Sequence, residues 1–272
     1  CDLMISCGAR FSDRVAGDPN KFGEQAKIVQ LEIDEKEINK NVRVNEYIIG
    51  DVKDILIALT IGLEKQSHPE WLEKIDEWKH HFDNVTKPFS DYPFPDEFIE
   101  AVNTLKADND IIATDVGQHQ MWVAQHAKIE AEKTLLTSGG MGTMGYSIPA
   151  AVGAKLARPN RDVVVVCGDG SFQMSMNELA TIAGNDLAIK IIIMRNHRLG
   201  MVRELQDKNY DCRHSATILK GDPDFLKIAE AYGIDHAEAN SNEEAEEIIK
   251  GMVKSDKPFI LVCNVYPDTP SI

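Results

Sequence analysis

The chain has 272 residues, a length that suits one and a half or two domains. Hydrophobic residues make up 43% and charged residues 27%, which indicates a globular rather than a disordered protein. The net charge of -15 argues against a nucleic-acid partner, and no apolar run reaches the roughly 18 residues of a membrane span. The five cysteines are odd in number and lack CxxC spacing, so we expect neither disulfides nor zinc, and a cytoplasmic location.

The first 60 residues are predicted to form the C-terminal half of a nucleotide-binding α/β domain, with the order strand, loop, strand, helix. Short apolar runs at 3–7 and 27–33 predict the two strands, and helical spacing over 51–59 predicts the helix. Cys1 stands at what looks like a strand already under way. We therefore expect the sequence to continue a longer protein.

Residues 61–95 are predicted to be a linker between domains. Apolar residues recur at helical spacing over 68–82, which predicts a helix with one apolar face. Three prolines between 88 and 95 then exclude a continuing helix. We expect a linker helix followed by an extended strap.

Residues 96–272 alternate strands and helices, which predicts a doubly wound α/β domain. The runs VVVVC, ending at Cys167, and IKIIIM, beginning at Ile189, have no polar face, so these strands must be buried on both sides of a parallel sheet. Ligands of such sheets bind at the carboxyl ends of the strands. The predicted strands are Asp110–Thr114, Thr134–Thr137, Asp162–Cys167, Ile189–Arg195, Asp235–Ala239 and Phe259–Val265, and the predicted helices are Tyr146–Leu156, Met176–Gly184, Asp224–Tyr232 and Glu243–Lys254.

Two oxygen-bearing side chains follow strands that should be neighbours in this sheet. Asp169, within the turn 168–171 (GDGS), follows one strand, and Asn196 follows the next. Carboxylate, amide and phosphate oxygens suit Mg²⁺, and the glycines beside Asp169 let a diphosphate approach the backbone. A helix starting near Gln173 would point its positive end at the same anion. The alternative is a simple tight turn.

Two further stretches at strand ends carry possible ligand contacts. Residues 137–151 (TSGGMGTMGYSIPAA) form a glycine-rich loop between a strand and a helix, which could also be a flexible connector or a close packing contact. Residues 115–122 (DVGQHQMW) follow another strand. All three segments should therefore meet at one edge of the sheet.

The motifs together resemble one enzyme family. GDG followed by 25 residues and then Asn196 resembles the signature of thiamine-diphosphate enzymes, although the family often has Asn where this chain has Arg195. The loop 137–151 is similar to the form found in acetolactate synthases, and so are GARFSDRVAG at 8–17 and HRLGMVRELQ at 197–206. The resemblance covers essentially the whole chain.

The resemblance implies a role for each motif. Mg²⁺ would be bound by Asp169, Asn196 and the backbone carbonyl of Arg198. Met144 would wedge between the two rings of the cofactor, where a flexible thioether fits well, and Gly142 would bond the pyrimidine through its backbone. The other implied cofactor contacts are Val116, Gly117, Gln118, His119, Gln120, Gly168, Gly170, Ser171, Gly200 and Met201.

His119, Gln120 and Met144 are the residues that the resemblance places at the reacting centre. His119 could transfer a proton, or it could only hydrogen-bond a phosphate, and the sequence leaves both roles open.

The resemblance also implies a structural FAD held by the first domain. The contacts would come from the segment 32–51, through Glu32, Ile33, Gly50 and Asp51, because an acidic residue after a strand can bond a ribose hydroxyl. For Glu32 alone, a solvated strand end is the alternative.

The reaction implied is the condensation of two 2-keto acids through the thiamine-diphosphate ylid, in branched-chain amino-acid synthesis. Arg14 would contact the substrate carboxylate, and Leu205, where the family often has Trp, would line the substrate channel. The family completes its site with a glutamate from an N-terminal domain of a second subunit, in a homodimer or tetramer that a small regulatory subunit can join. We therefore expect this chain to be inactive alone.

Two other functions remain as alternatives. A sister thiamine-diphosphate decarboxylase, carboligase or oxidase would keep the same cofactor motifs. A non-catalytic cofactor-binding or regulatory module would keep the fold but could lose Asp169 or Asn196, and both are present.

Overall fold

A computed structural model describes residues 1–83, 95–105 and 110–271, so the predicted strap before residue 95 lies outside the described residues, whereas Pro95, expected in the strap, begins a helix. The chain forms two compact units, Cys1–Thr86 and Lys87–Ile272. Within the described ranges, every helix is too short or too polar to cross a membrane.

The first unit contains a parallel sheet of three strands in the order β1-β2-β3. A small core of Phe11, Ile28 and Val42 packs beside it. The sequence analysis missed β3, because its four residues are all exposed and carry no alternating pattern, whereas the helix expected over 68–82 is confirmed as α3. The elements are β1 (Leu3–Cys7), α1 (Asp13–Ala16), β2 (Lys27–Glu32), β3 (Glu46–Ile49), α2 (Val52–Thr60) and α3 (Pro69–Asp83).

The second unit is a doubly wound parallel sheet, as predicted. Its described strands follow the order β5-β4-β6-β7-β9-β8, and each neighbouring pair is parallel. The strands are β4 (Ile111–Thr114), β5 (Leu135–Thr137), β6 (Val163–Gly168), β7 (Ile189–Arg195), β8 (Asp235–Ala239) and β9 (Phe259–Asn264). The helices are α4 (Pro95–Leu105), α5 (Gln118–His126), α6 (Ser147–Ala157), α7 (Asp169–Phe172), α8 (Leu179–Gly184), α9 (Gly200–Asn209), α10 (Phe225–Ala231) and α11 (Asn242–Val253).

The two central strands are buried on both faces, which explains their unbroken apolar sequence. Val163 and Val165 of β6 pack into a core that includes residues of α6, α8 and α10. Val164 and Val166 pack into a second core with residues of α4, α5 and α11. A parallel sheet covered by helices on both sides therefore accounts for the runs VVVVC and IKIIIM.

The sequence placed the helix after β6 wrongly. We expected it to begin near Gln173, but α7 begins at Asp169, and Gln173 is its C-cap. The reason is local, because Gly168 N donates to Ser171 Oγ at 3.0 Å and so closes a turn on the motif itself. The expected helix over 176–184 is a 3₁₀ turn (Met176–Glu178) followed by α8.

The strand order creates a crevice at one edge of the sheet. The chain passes from β4 outward to β5, crosses back to β6 on the other side of β4, and continues to β7. The carboxyl ends of β4 and β6 thus flank a point where the winding reverses, and ligands of open α/β sheets bind there.

Because the sheet is buried on both sides, replacement of a buried leucine should destabilise the protein much more than replacement of an exposed one. Leu261 of β9 is fully buried, whereas Leu156 of α6 is 63% exposed. We expect Leu261→Ala to lower the free energy of unfolding by about 2–5 kcal/mol, because it removes packing atoms and leaves a cavity. The matched control Leu156→Ala should change it by less than about 0.5 kcal/mol in the same urea titration. Equal effects would contradict the assigned core.

Candidate functional site

The loop after β4 and the glycine-rich loop are joined by the carboxylate of Asp115. Asp115 is fully buried at the end of β4. Its Oδ1 accepts hydrogen bonds from the backbone nitrogens of Val116 at 2.9 Å and Gly145 at 2.8 Å. Its Oδ2 accepts from Ser147 N at 2.9 Å and Ser147 Oγ at 2.7 Å. One carboxylate therefore holds both Gly145 and Ser147. These residues follow Met144 closely in the chain, so the bonds also restrain the loop that carries Met144.

The turn after β6 points a buried carboxylate into the crevice. Asp169 Oδ1 accepts from Gly170 N at 2.8 Å, and Oδ2 accepts from His197 N at 2.6 Å, which links the ends of β6 and β7. Burial raises the pKa of Asp169 to about 6, although the two backbone hydrogen bonds act in the opposite direction. A bound cation would offset this cost of burying a negative charge.

Asn196 lies beside Asp169 at the end of β7, as the sequence predicted for neighbouring strands. Its side chain is 6% exposed. Asn196 Nδ2 donates to Gln118 Oε1 at 3.0 Å, and Asn196 Oδ1 accepts from Arg198 N at 3.1 Å. The side-chain oxygen keeps a second lone pair for a ligand.

Glycines line the crevice where any side chain would collide. A Cβ at Gly170 would lie 2.6 Å from Leu199 Cδ2, and one at Gly168 would lie 3.0 Å from His119 Nδ1. A Cβ at Gly200 would lie 1.7 Å from Gln118 Oε1. The absence of a Cβ at these positions therefore lets Leu199, His119 and Gln118 pack directly against the backbone of the pocket wall.

His119 is buried between these elements and is neutral near pH 7. Burial lowers its pKa to about 4, although the charge of Asp115 acts in the opposite direction. Its Nε2 is buried without a hydrogen-bond partner among the described residues. A neutral ring suits either a hydrogen bond to a ligand or a proton transfer, so both roles proposed for His119 stay open.

These observations fit a divalent cation with a diphosphate. Asp169 offers a carboxylate and Asn196 an amide oxygen in one pocket wall that also includes Arg198, and carboxylate, amide and backbone carbonyl oxygens are the donors that Mg²⁺ prefers. His119 Nε2, which has no hydrogen-bond partner in the described part of the chain, offers a polar contact for an anion in the same pocket.

A second group of possible metal ligands includes Asp169 but is already occupied by internal bonds. Ligand atoms of Asp169, His197 and Asp222 all lie within 4.8 Å of one another. Asp222, however, accepts from Arg195 Nε at 2.7 Å and lies 3.2 Å from His197 Nδ1. Arg195 stands where thiamine-diphosphate enzymes often have asparagine, and its ion pair with Asp222 gives it a structural role.

Most of the sequence-predicted cofactor residues line a single pocket at this edge of the sheet. Trp122, Met194, Leu199 and Val202 line it as well. Met144 reaches toward the GDG turn, since its Cε would lie 3.8 Å from a Cβ at Gly170. The predicted residues in the pocket wall are Val116, Gly117, Gln118, His119, Met144, Gly168, Asp169, Gly170, Ser171, Asn196, Arg198, Gly200 and Met201.

Of the site residues predicted in the second unit, three lie outside that wall. Gln120 donates to Thr137 Oγ1 at 2.8 Å, which ties α5 to the end of β5. Gly142 has a φ of 68° and donates to Ser138 O at 2.9 Å within the loop. Leu205 is 43% exposed on α9.

The residues expected to contact FAD lie together in the first unit. Glu32 is 6% exposed, so it is not a solvated strand end, and its Oε2 has no partner among the described residues. Gly50 N donates to Glu32 O at 2.9 Å, while Asp51 caps α2 through Lys53 N at 2.8 Å. Ile33 is 70% exposed. Arg14 belongs to α1, but its side chain lies outside the described part of the structure.

Comparison with known proteins identifies the family. Residues 115–263 match the domain described as "Thiamine pyrophosphate enzyme, C-terminal TPP binding domain", and residues 1–59 match the corresponding central domain. The chain belongs to the thiamine pyrophosphate enzyme family. Thiamine pyrophosphate and thiamine diphosphate are the same compound, so the resemblance seen in the motifs is confirmed.

The chain is also similar to large subunits of acetolactate synthases. It is 42% identical over 98% of its length to the "Probable acetolactate synthase large subunit" of Methanocaldococcus jannaschii, covering 47% of that protein. It is 38% identical over 99% of its length to the "Acetolactate synthase isozyme 2 large subunit" of Escherichia coli, covering 50%. The large subunit of Lactococcus lactis is 38% identical over 96% of the chain, which covers 45% of it. The chain thus spans about half the length of the curated relatives it matches.

Two polar residues of the site were missed by the sequence analysis as functional. Asp115 and Ser147 stand at the start of one motif and within another, and their contact spans 32 positions of sequence. An acidic residue directly after a predicted buried strand, with a glycine two positions later, is the signal that could have pointed to Asp115.

The bonds of Asp115 predict how the site fails when they are weakened. Asp115→Asn should lower the free energy of unfolding by about 1–3 kcal/mol, because the new amide group faces backbone donors that need an acceptor. Ser147→Ala removes one hydrogen bond and should cost only about 0.5–1.5 kcal/mol. Urea unfolding followed by circular dichroism measures both. An Asp115→Asn protein as stable as the unmodified one would show that the carboxylate does not hold the loop.

Proposed function

We propose that the protein containing this chain condenses two 2-keto acids with thiamine diphosphate and Mg²⁺. Two molecules of pyruvate would give 2-acetolactate and CO₂, and pyruvate with 2-ketobutyrate would give 2-aceto-2-hydroxybutyrate. The single observation that carries the proposal is that Asp169, Asn196 and Met144 line one pocket. The names of the relatives support the choice of reaction.

The diphosphate and its cation would be held at the ends of β6 and β7. Asp169, the side-chain oxygen of Asn196 and the carbonyl of Arg198 would bind Mg²⁺. Gly168, Gly170 and Ser171 would admit the diphosphate to the backbone. When bound, the cofactor supplies a carbon centre that stabilises the negative charge left by decarboxylation.

The remaining residues of the pocket would orient the cofactor and the substrate. Met144 would press on the cofactor rings from a loop that Asp115 keeps in place, and Gly142 would contribute backbone groups. His119, being neutral, would donate or accept a hydrogen bond at Nε2. Gln120, tied to Thr137, would support the loop after β4 from its outer side.

Substrate selection would depend on residues at the rim of the pocket. Met201 lines the pocket and Leu205 is exposed one turn further along α9, where a leucine leaves room for small 2-keto acids. Arg14 would bind the substrate carboxylate through two parallel hydrogen bonds. Glu32, Ile33, Gly50 and Asp51 would hold a structural FAD in the first unit, a role supported by the buried Oε2 of Glu32, which has no partner in the described part of the chain.

The organisation of the whole protein follows the same proposal. Residues 1–60 would be half of a central FAD-binding-type domain, 61–95 a linker, and 96–272 the diphosphate-binding domain. The active site would be completed by a second copy of the protein in a homodimer or tetramer, with a small regulatory subunit, in the cytoplasm. The acetolactate synthase relatives, named as large subunits, support the regulatory partner.

Replacement of Asp169 tests the proposal in the full-length protein. Asp169→Asn should weaken Mg²⁺-dependent binding of thiamine diphosphate at least about tenfold and reduce 2-acetolactate formation with it, because the charged ligand is lost. The control Asp256→Asn, at an exposed position, should change neither. Binding is measured by calorimetry, and products from pyruvate by chromatography.

The products separate the proposed reaction from its alternatives. An oxidised two-carbon product in place of 2-acetolactate would indicate a sister enzyme. Cofactor binding without any turnover of pyruvate would indicate a non-catalytic module and would contradict the proposed reaction.

A further inference from the structure

The orientation of Asn196 depends on a chain of hydrogen bonds that begins at Glu204. The side chain of asparagine ends in an oxygen and an NH₂ group, and only the oxygen can bind a cation. Asn196 Nδ2 must therefore be held away from the metal position, and its partner is Gln118 Oε1 at 3.0 Å. Because Gln118 is itself an amide, something must decide which of its two ends faces Asn196.

Glu204 is the side chain that helps to fix this orientation, together with the backbone carbonyl of Thr269. Gln118 Nε2 donates to Glu204 Oε1 at 2.8 Å and to Thr269 O at 2.8 Å. A carboxylate and a carbonyl only accept hydrogen bonds, so Gln118 must turn its NH₂ group toward them. Its oxygen then faces Asn196, and Asn196 Oδ1 is left for the cation.

The side chains that form this series of hydrogen bonds have little freedom to move. Gln118 is 3% exposed, and the absence of a Cβ at Gly200 leaves the space that its amide occupies. Glu204 is fixed in turn by Ser271, whose N donates to Oε1 at 2.7 Å and whose Oγ donates to Oε2 at 2.5 Å. Neither amide can rotate without breaking several of these bonds.

We infer that Glu204 is a positioning residue that sets the amide of Gln118 and, through it, presents Asn196 Oδ1 to the divalent cation. The inference rests on the proposed function, in which Asn196 is a metal ligand. Glu204 lies in α9, outside the pocket wall, so it acts through other residues and does not touch the metal.

Residues 269–271, which contact Glu204 and Gln118, are also held by hydrogen bonds that do not involve Glu204. Trp122 Nε1 donates to Pro270 O at 2.8 Å, and Gln125 Nε2 donates to Ser271 O at 3.0 Å. Removal of the carboxylate of Glu204 therefore leaves the segment attached, while Gln118 loses one of its two acceptors.

The test is a double-mutant cycle on Mn²⁺ affinity. Electron paramagnetic resonance measures the binding of Mn²⁺ to the full-length protein at saturating thiamine diphosphate. Glu204→Met should weaken binding about tenfold, the size of effect that residues supporting a metal ligand show. Glu204→Gln keeps an oxygen acceptor and should stay within about threefold of the unmodified protein.

The cycle is closed in an Asn196→Asp background. Both side-chain oxygens of an aspartate can bind the cation, so the orientation of residue 196 no longer needs to be set. Loss of Glu204 would also let Gln118 turn its NH₂ group toward the new carboxylate, so Glu204→Met should then cause no loss of Mn²⁺ affinity. Glu247→Met, at an exposed position of α11, is the control and should have no effect in either background.

The outcomes separate this inference from the proposed function. An equal loss of affinity in both backgrounds would mean that Glu204 only stabilises the fold, and would overturn the inference. Failure of the unmodified protein to bind Mn²⁺ with thiamine diphosphate would instead overturn the proposed function. Melting temperatures of all variants without metal show that the compared proteins are folded.

Discussion

The site depends first on the buried carboxylate of Asp115. It accepts hydrogen bonds from three backbone nitrogens and one hydroxyl, and so it joins the end of β4 to the start of α6. A buried charge is stable only when such donors surround it, and the donors are themselves unpaired without it. The loop that carries Met144 is therefore fixed to the sheet edge where Asp169 lies. Without these hydrogen bonds, the loop that carries Met144 would no longer be held beside Asp169.

The sheet order supplies the second constraint. β4, β6 and β7 are consecutive neighbours, so the residues after their carboxyl ends face one crevice. Asp169 bonds His197 N across two of these strand ends, and Gln118 bonds Asn196 across a wider gap. Rigid strands thus set the coarse positions, and buried hydrogen bonds set the orientation of individual polar groups. Both levels are needed, because a metal ligand must present an oxygen in the right direction.

The fold was largely predictable, and the site only in part. Apolar runs such as VVVVC and IKIIIM gave the strands, because a strand buried on both faces has no polar positions. The motif around Asp169 and Asn196 was visible from its spacing. The start of α7 was not, since it depends on a local bond between Gly168 and Ser171. The contacts of Asp115 with Gly145 and Ser147 and of Glu204 with Gln118 were also out of reach, because these partners lie 30 or more positions away.

The central claim is that this sheet edge binds a diphosphate through a divalent cation. Calorimetric titration of the full-length protein with thiamine diphosphate, compared with thiamine lacking the diphosphate, tests it most directly. Binding of thiamine diphosphate should require Mg²⁺ and disappear with a chelator. Thiamine should bind at least about a hundredfold more weakly, because the cation and the backbone of the GDG turn would both contact the diphosphate. Equal binding of the two compounds, or binding indifferent to Mg²⁺, would contradict the claim.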